Sequence, residues 1–393
     1  MPSNRELFLR YLAQTSPQPL LLEISKAEGI WLYGNNEEKY MDLISGIAVS
    51  NLGHRHPAVL DAVKNQAEKY MHLMVYGEVI QSPQVKLGEA ISKTLPSSLD
   101  NIYLVNSGSE AVEGALKLSK RYTGRYELVS CFNAYHGSTH GALSVIGSEK
   151  MKRPFRPLLP GIRYIRFNEE KDLNVITDKT AAVIIEPVQG EAGVRIASED
   201  FLLALRKRCS ETGALLIFDE IQTGFGRTGK FWSFEHYNAE PDIIVTAKGM
   251  GGGMPIGAFI SSKKIMSSLT NSPALGHITT FGGHPVSCAA SLATLETINK
   301  KEFLKEVERK GDLFRKLLSH PEIKEVRGKG LFLALQLSSA EKVKEVTEKA
   351  LAEKLLIDWF LFCPDSLRLA PPLTITDDEI RLAAEKIILS LES

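Results

Sequence analysis

Short, nearly unbroken apolar runs recur along the chain, and each ends in a polar or glycine-rich stretch. Ala214-Leu215-Leu216-Ile217-Phe218 runs into Asp219, Ile243-Ile244-Val245 runs towards Lys248, and Ala181-Ala182-Val183-Ile184-Ile185 runs into Glu186. Ile102–Val105 and Glu127–Ser130 behave alike. Runs of this length without alternation predict strands buried on both faces, as in a parallel sheet. Between them the period changes. After Pro57, residues Val59, Leu60, Val63 and Ala67 share one helical face, and further helices are expected over Gln84–Leu95 and Val286–Asn299. Ser107 with Glu110 fits a capping box, which starts another helix directly after a strand. Near the amino terminus, Gly29–Tyr33 and Lys39–Asp42 flank the turn Gly34-Asn35-Asn36 and predict a hairpin. A return strand is expected over Pro255–Ser261. The last hundred or so residues alternate charged amphipathic helices with short strands around Leu331–Leu337 and Leu367–Leu369, a second α/β layer. The class is α/β.

Open α/β sheets bind ligands at the carboxyl ends of their strands, so Asp219 and Lys248 are delivered to one rim. A lysine followed at once by Gly249-Met250-Gly251-Gly252-Gly253 is either a Schiff-base lysine or a surface lysine after a strand, and spacing alone leaves both open. Gly224–Gly229 matches G-x-G-x-x-G and, with Lys230, G-x-x-x-x-G-K. Phe231 stands where a P-loop needs Ser or Thr, and no helix pattern follows, so a glycine-rich loop over a ligand fits better. Ser107, Gly108 and Ser109 are either a phosphate cup at a helix start or an ordinary βα turn. Tyr135 can stack on a flat ring or serve as a structural tyrosine. Glu186 and Glu191 share one short loop, which argues against a glycosidase pair. His54 with His56, and His136 with His140, lack the further ligands that zinc needs, so no metal is expected.

Lys plus Arg equal Asp plus Glu at 47 each, so no global field recruits nucleic acid or anionic lipid. The first residues mix charge with apolar positions, and no apolar run approaches the ~20 residues that span a bilayer. The expectation is a cytoplasmic protein that meets no membrane. Cys131, Cys209, Cys288 and Cys363 are far apart, form no C-x-x-C, and read as reduced thiols.

The run Asp219–Gly229, DEIQTGFGRTG, followed 29 residues after its acid by Lys248, resembles the signature of the class III pyridoxal-phosphate aminotransferases, the ornithine, acetylornithine and 4-aminobutyrate aminotransferase family. The resemblance extends over nearly the whole chain. It implies fold type I, a large cofactor domain over 55–290 and a small domain from 1–54 with 291–393. It also implies a homodimer in which Thr280 reaches the neighbouring site's phosphate. By the same resemblance Ser107, Gly108 and Ser109 hold the cofactor phosphate, while Tyr135 and Ile221 sandwich the ring with His136 beside it. Glu186 lies against the cofactor, Gln222 meets the ring hydroxyl, and Asp219 keeps the ring nitrogen protonated. Lys248 anchors the cofactor and then moves the proton. Glu191 and Arg368 match a pair that opens to admit a substrate carboxylate. Ser138 departs from the family, whose ornithine-type members carry arginine there. The implied activity moves an amino group from the ω-amine of a small amino acid or polyamine to a 2-oxo acid; a decarboxylase or aminomutase on the same scaffold is the alternative. A dimeric scaffold without activity would require loss of Lys248 or Asp219, and both are present.

Overall fold

Chain ends and chain middle build separate sheets in the computed structural model, which describes residues 2–35, 38–75 and 77–392. Strands β1 (Ile24–Glu28), β2 (Trp31–Gly34) and β3 (Lys39–Asp42) form an antiparallel meander. The middle supplies β4 (Asn101–Val105), β5 (Glu127–Cys131), β6 (Ile162–Ile165), β7 (Thr180–Ile185), the short pair β8 (Val188–Gln189) and β9 (Arg195–Ile196), β10 (Leu215–Asp219), β11 (Ile243–Thr246) and β12 (Gly257–Ser261). From the carboxyl-terminal part come β13 (Glu325–Lys329), β14 (Phe332–Gln336), β15 (Leu355–Leu356), β16 (Asp358–Trp359) and β17 (Ser366–Leu369).

The central sheet has seven strands in the order β4-β12-β11-β10-β7-β5-β6. Its pairs are parallel from β11 through β6, and β12 runs antiparallel to both of its neighbours. Strands β5, β7, β10, β11 and β12 are buried along their whole length, which is why their sequences do not alternate. The helix Gly108–Thr123 lies against this sheet, and its Gly114 has no room for a side chain: a Cβ would stand 2.2 Å from the ring of Phe259. The chain ends share a further sheet, β1-β2-β3-β15, in which β15 pairs parallel with β3, and a third has the order β13-β14-β17-β16.

The expected hairpin is present as β2 and β3, although Asn36 of its turn lies outside the described residues. Strand β1 has an almost entirely exposed pattern and carries no apolar signal. On the helix Pro57–Lys69 the inward face runs through Val59 to Gln66, and Ala67 is exposed; Gln66 is accommodated by donating to the Tyr70 carbonyl. The next helix spans Ser82–Ser92, with a proline in its first turn, and so both starts and ends earlier than expected. The helix Glu199–Thr212 buries Phe201, Leu202, Leu205 and Cys209 on one face and is closed by Ser198 capping Phe201 N and by Gly213 at φ 72°. All four cysteines are free and buried. Among the described residues no helix is long and apolar enough to cross a membrane.

The glycine loop after β10 ties the two ends of the chain to the central sheet. Arg227 is fully buried and donates from Nη1 to the carbonyls of Leu331 (3.0 Å) and Pro371, and from Nη2 to Asn51 Oδ1 (2.6 Å). None of these acceptors is a carboxylate, so removing the guanidinium leaves dry carbonyls. Arg227→Met should lower stability by on the order of 3 kcal/mol, and Arg227→Lys should recover only part of it. Thermal unfolding followed by circular dichroism checks this; an unchanged melting temperature for Arg227→Met would show that the tie is dispensable.

Candidate active site

Five strand ends meet at one edge of the central sheet. Asp219 closes β10, Glu186 follows β7, Ser107 follows β4, Tyr135 follows β5 and Lys248 follows β11. The sheet pairing puts Asp219 beside Val245 and Ile185 beside Phe218, so the acids and the amine come from adjacent strands. Ser107, Gly108, Ser109, Tyr135, His136, Glu186, Asp219, Ile221, Gln222 and Lys248 line one cavity of about 430 Å³. Sequence reasoning names each of these. Val49, Asn106, Gly137, Ala247, Gly253, Met254, Pro255 and Ile256 complete the wall without being marked as site residues in the sequence.

Asp219 is 3% exposed and held on both oxygens: Oδ1 accepts from Ile221 N at 3.0 Å, and Oδ2 pairs with His136 Nδ1 at 2.7 Å. The Tyr135–Thr139 segment is a loop, and a short helix begins at His140, so the two histidines diverge. Glu186 accepts from Tyr135 N and Gly190 N, each at 3.2 Å, and burial, then the neighbouring Asp219 charge, push its carboxyl well above the usual range. Ser107 caps its helix by accepting from Glu110 N at 3.2 Å. The expected reciprocal half of the capping box is absent: Glu110 Oε2 reaches one residue further and accepts from Asn106 N (2.7 Å) and Asn106 Nδ2 (2.9 Å). That leaves the cup itself free of a carboxylate.

Lys248 opens a short 3-10 turn with φ 45°, a left-handed backbone that costs a non-glycine residue about 1–3 kcal/mol and marks functional strain. Burial lowers its amine from the usual 10.5 to about 8, against the opposing pull of Glu191, Asp219 and Glu186, with Arg368 adding to the fall. Glu191 and Arg368 stand behind the cavity wall. Gln222 Nε2 donates to Glu191 Oε1 (3.1 Å), and Arg368 Nη2 meets Glu191 Oε2 at 2.8 Å, both side chains nearly inaccessible. Thr280 does not line the cavity and lies on an exposed stretch after Thr279, which accepts from Asn106 Nδ2 at 2.9 Å.

Such a rim can take a phosphate at the helix start and a flat ring between Ile221 and Tyr135, within a cavity that Lys248 also lines. A helix of 16 residues presents its amino end at Ser107 and Gly108, where a Cβ on Gly108 would stand 2.9 Å from Ile221 Cδ1 and fill the floor. His136 Nε2 and Gln222 Oε1 are buried without partners on the wall, a donor or acceptor waiting on each side. Fold and cavity are those of a pyridoxal-phosphate enzyme. The model of the class-III aminotransferases matches residues 11–391. Acetylornithine aminotransferase of Methanopyrus kandleri is 39% identical over 395 residues, 99% of each chain, and that of Methanocaldococcus jannaschii is 41% identical over 372 residues, 90% of this chain and 89% of its own. An ornithine aminotransferase structure from Toxoplasma gondii, with pyridoxal phosphate partly occupying its active site, is 29% identical and superposes with a TM-score of 0.89 over 99% of this chain and 94% of its own. The chain belongs to the class-III aminotransferases and is a pyridoxal-phosphate-dependent transaminase.

The lowered lysine sets a pH dependence. Only the neutral amine is nucleophilic, so capture of pyridoxal phosphate by cofactor-free protein should rise about tenfold per pH unit below the lysine's pKa and level off above it. The bend belongs near pH 8. Stopped-flow absorbance measures this, and a bend near 10 would mean that the amine is not desolvated.

Proposed function

We propose that the protein moves the terminal amino group of an ω-amine donor to a 2-oxo acid, with one pocket serving both substrates in turn. The observation that carries this is the buried Glu191–Arg368 pair, 2.8 Å apart, joined to the cavity through Gln222. With a donor bound, the carboxylate covers the guanidinium; when a 2-oxo acid enters, Glu191 withdraws and Arg368 takes the α-carboxylate as a two-pronged ligand. Pyridoxal phosphate, when bound, supplies the electron sink and carries the amino group between the two substrates. Asp219 would face the ring nitrogen and favour its protonated form, and His136 fixes that carboxylate. Gln222 would meet the ring hydroxyl, Glu186 would lie against the ring, and Ile221 with Tyr135 would hold it from either face. Ser107, Gly108 and Ser109 offer donors to the phosphate. Lys248 anchors the cofactor and, once released, moves a proton at its Nζ. The division into a cofactor unit of 55–290 and a second unit of 1–54 with 291–393 follows the three larger sheets. A cytoplasmic homodimer in which Thr280 reaches the neighbouring site accounts for that residue's place outside its own cavity.

Donor choice turns on Ser138. It stands exposed at the mouth, 3.1 Å from the Tyr135 hydroxyl, where ornithine-type relatives place arginine. Among the described residues that line the cavity, Lys248 is the only Lys or Arg. Simple ω-amines, including polyamines, should therefore serve better than donors with an α-carboxylate. Single-turnover half-reactions test this: Ser138→Arg should favour ornithine-like donors, and Arg368→Lys should slow the 2-oxo acid half-reaction at least about tenfold. An Arg368→Lys enzyme with an intact acceptor half-reaction would sink the switch.

The shared dimer site predicts a complementation. A Lys248→Ala chain exchanged with a Thr280→Ala chain puts both lesions in one site and neither in the other, so activity should return towards half of wild type. Exchange that is demonstrated by mass spectrometry without recovered activity would show that Thr280 does not act across the interface.

A further inference from the structure

Arg368 is surrounded by more negative charge than a switch with Glu191 alone requires. Strands β16 and β17 run antiparallel with Asp358 directly opposite Arg368, and Asp358 Oδ1 lies 3.4 Å from Arg368 Nε. Glu191 takes Nη2 at 2.8 Å, the Trp359 carbonyl accepts from the same nitrogen at 2.9 Å, and the guanidinium carbon sits 4.7 Å from the centre of the Phe360 ring. Nε and Nη1 make no hydrogen bond, and neither does Asp358 Oδ1, so the Asp358 contact is ionic and Nη1 is an unpaired buried donor. A carboxylate arriving at the Nη1–Nη2 fork must displace Glu191, yet it does not compete for the Nε edge.

We propose that Asp358 is a positioning residue that holds the Nε edge of Arg368 while Glu191 and the 2-oxo acid exchange at the Nη fork, and that its charge sets how tightly the acid is gripped. The inference rests on the assignment of Arg368 as the carboxylate grip. Two carboxylates around one guanidinium leave a net negative charge before the acceptor arrives, which weakens the pull on any carboxylate and lets the amino acid product leave. The contacts with the Phe360 ring and with Asp358 at Nε hold the guanidinium in place, so the fork stays aimed when Glu191 departs.

The proton on Asp358 then modulates the grip. The charged or titratable groups facing it are Arg368 on β17, Glu191 on the loop after β8, and Asp42 at the end of β3, itself bound to His54 at 2.8 Å. Burial raises the Asp358 carboxyl to about 6 against the pull of Arg368, and Glu191 and Asp42 add to the rise. A carboxyl raised in this way is neutral below its pKa, and a new carboxylate at the fork raises it further. Binding of an acid should therefore tighten as pH falls towards 6 and should take up part of a proton on the alkaline side of that value.

Glutarate, a dicarboxylate without an oxo group, probes the grip on the holoenzyme without reaction. Calorimetry in two buffers of different protonation enthalpy yields both its Kd and the proton uptake. The wild type should show uptake near pH 6.5 and a Kd that falls with falling pH, whereas Asp358→Asn should bind about tenfold tighter near pH 8, with a flat profile and no uptake. If Arg368→Lys weakens glutarate but Asp358→Asn matches the wild type in Kd and pH profile, the role of Asp358 is overturned and the Arg368 grip stands. If Arg368→Lys binds glutarate as the wild type does, the grip itself is misassigned and this inference falls with it. Should Asp358→Asn not fold, the wild type decides alone: no proton uptake near pH 6.5 overturns the proposal.

Discussion

Arg227 reaches three stretches of chain that are far apart in sequence, at Asn51, Leu331 and Pro371, from the loop that follows β10. A guanidinium buried among neutral acceptors keeps its charge only if every acceptor stays in place, because a lost hydrogen bond there is not replaced by water. Burial already lowers its pKa to about 9. Asn51 transmits the constraint. It donates to the Phe225 carbonyl at 2.9 Å, its own carbonyl accepts from Leu373 N at 2.7 Å, and its side chain presses so close to Gly249 that a Cβ there would stand 2.4 Å from Nδ2. The residue after Lys248 is thus wedged by the same network that holds the segment after Arg368. Lys248 and Arg368 are set relative to one another by a contact that touches neither.

Within that frame the rim concentrates charge in little water. Glu186, Asp219 and Glu191 all act on Lys248, yet desolvation outweighs them and lowers the amine. The same desolvation drives Glu186 the opposite way. Polar partners hold the other two acids in place: His136 and Ile221 N bond to Asp219, while Gln222, Leu361 N and Arg368 all donate to Glu191. An amine whose pKa is lowered towards neutrality, beside a fixed carboxylate, suits proton transfer at this rim.

Much of this is legible in the sequence, for reasons that differ by residue. Buried parallel strands announce themselves as unbroken apolar runs, so the apolar pattern alone places Asp219, Glu186 and Lys248 at strand ends. The glycine-rich loop with Arg227 reads as a ligand cover, whereas its arginine is a structural tie; burial of a lone arginine leaves no mark on the pattern. Glu110 keeps the spacing of a capping box but bonds to Asn106, because spacing fixes reach and not the partner. Asp358 escapes such a reading although an acid inside the apolar run Ile357–Phe362 is visible. Its partner is ten residues on, across an antiparallel register that only folding defines. Strand β1, exposed on nearly every position, has no pattern to read.

The pairing of β15 with β3 has a consequence for how the protein is made. Translation releases the amino terminus first, and the whole central sheet is encoded before residue 262, so that layer can assemble while synthesis continues. The first meander, by contrast, waits for Leu355 and Leu356 to supply its fourth strand, and Arg227 waits for Leu331 and Pro371. A nascent chain can therefore present Asp219 and Lys248 on a finished sheet while nothing yet confines their substrates. The Glu191–Arg368 pair, complete only once residue 368 is made, is among the last features the growing polypeptide acquires.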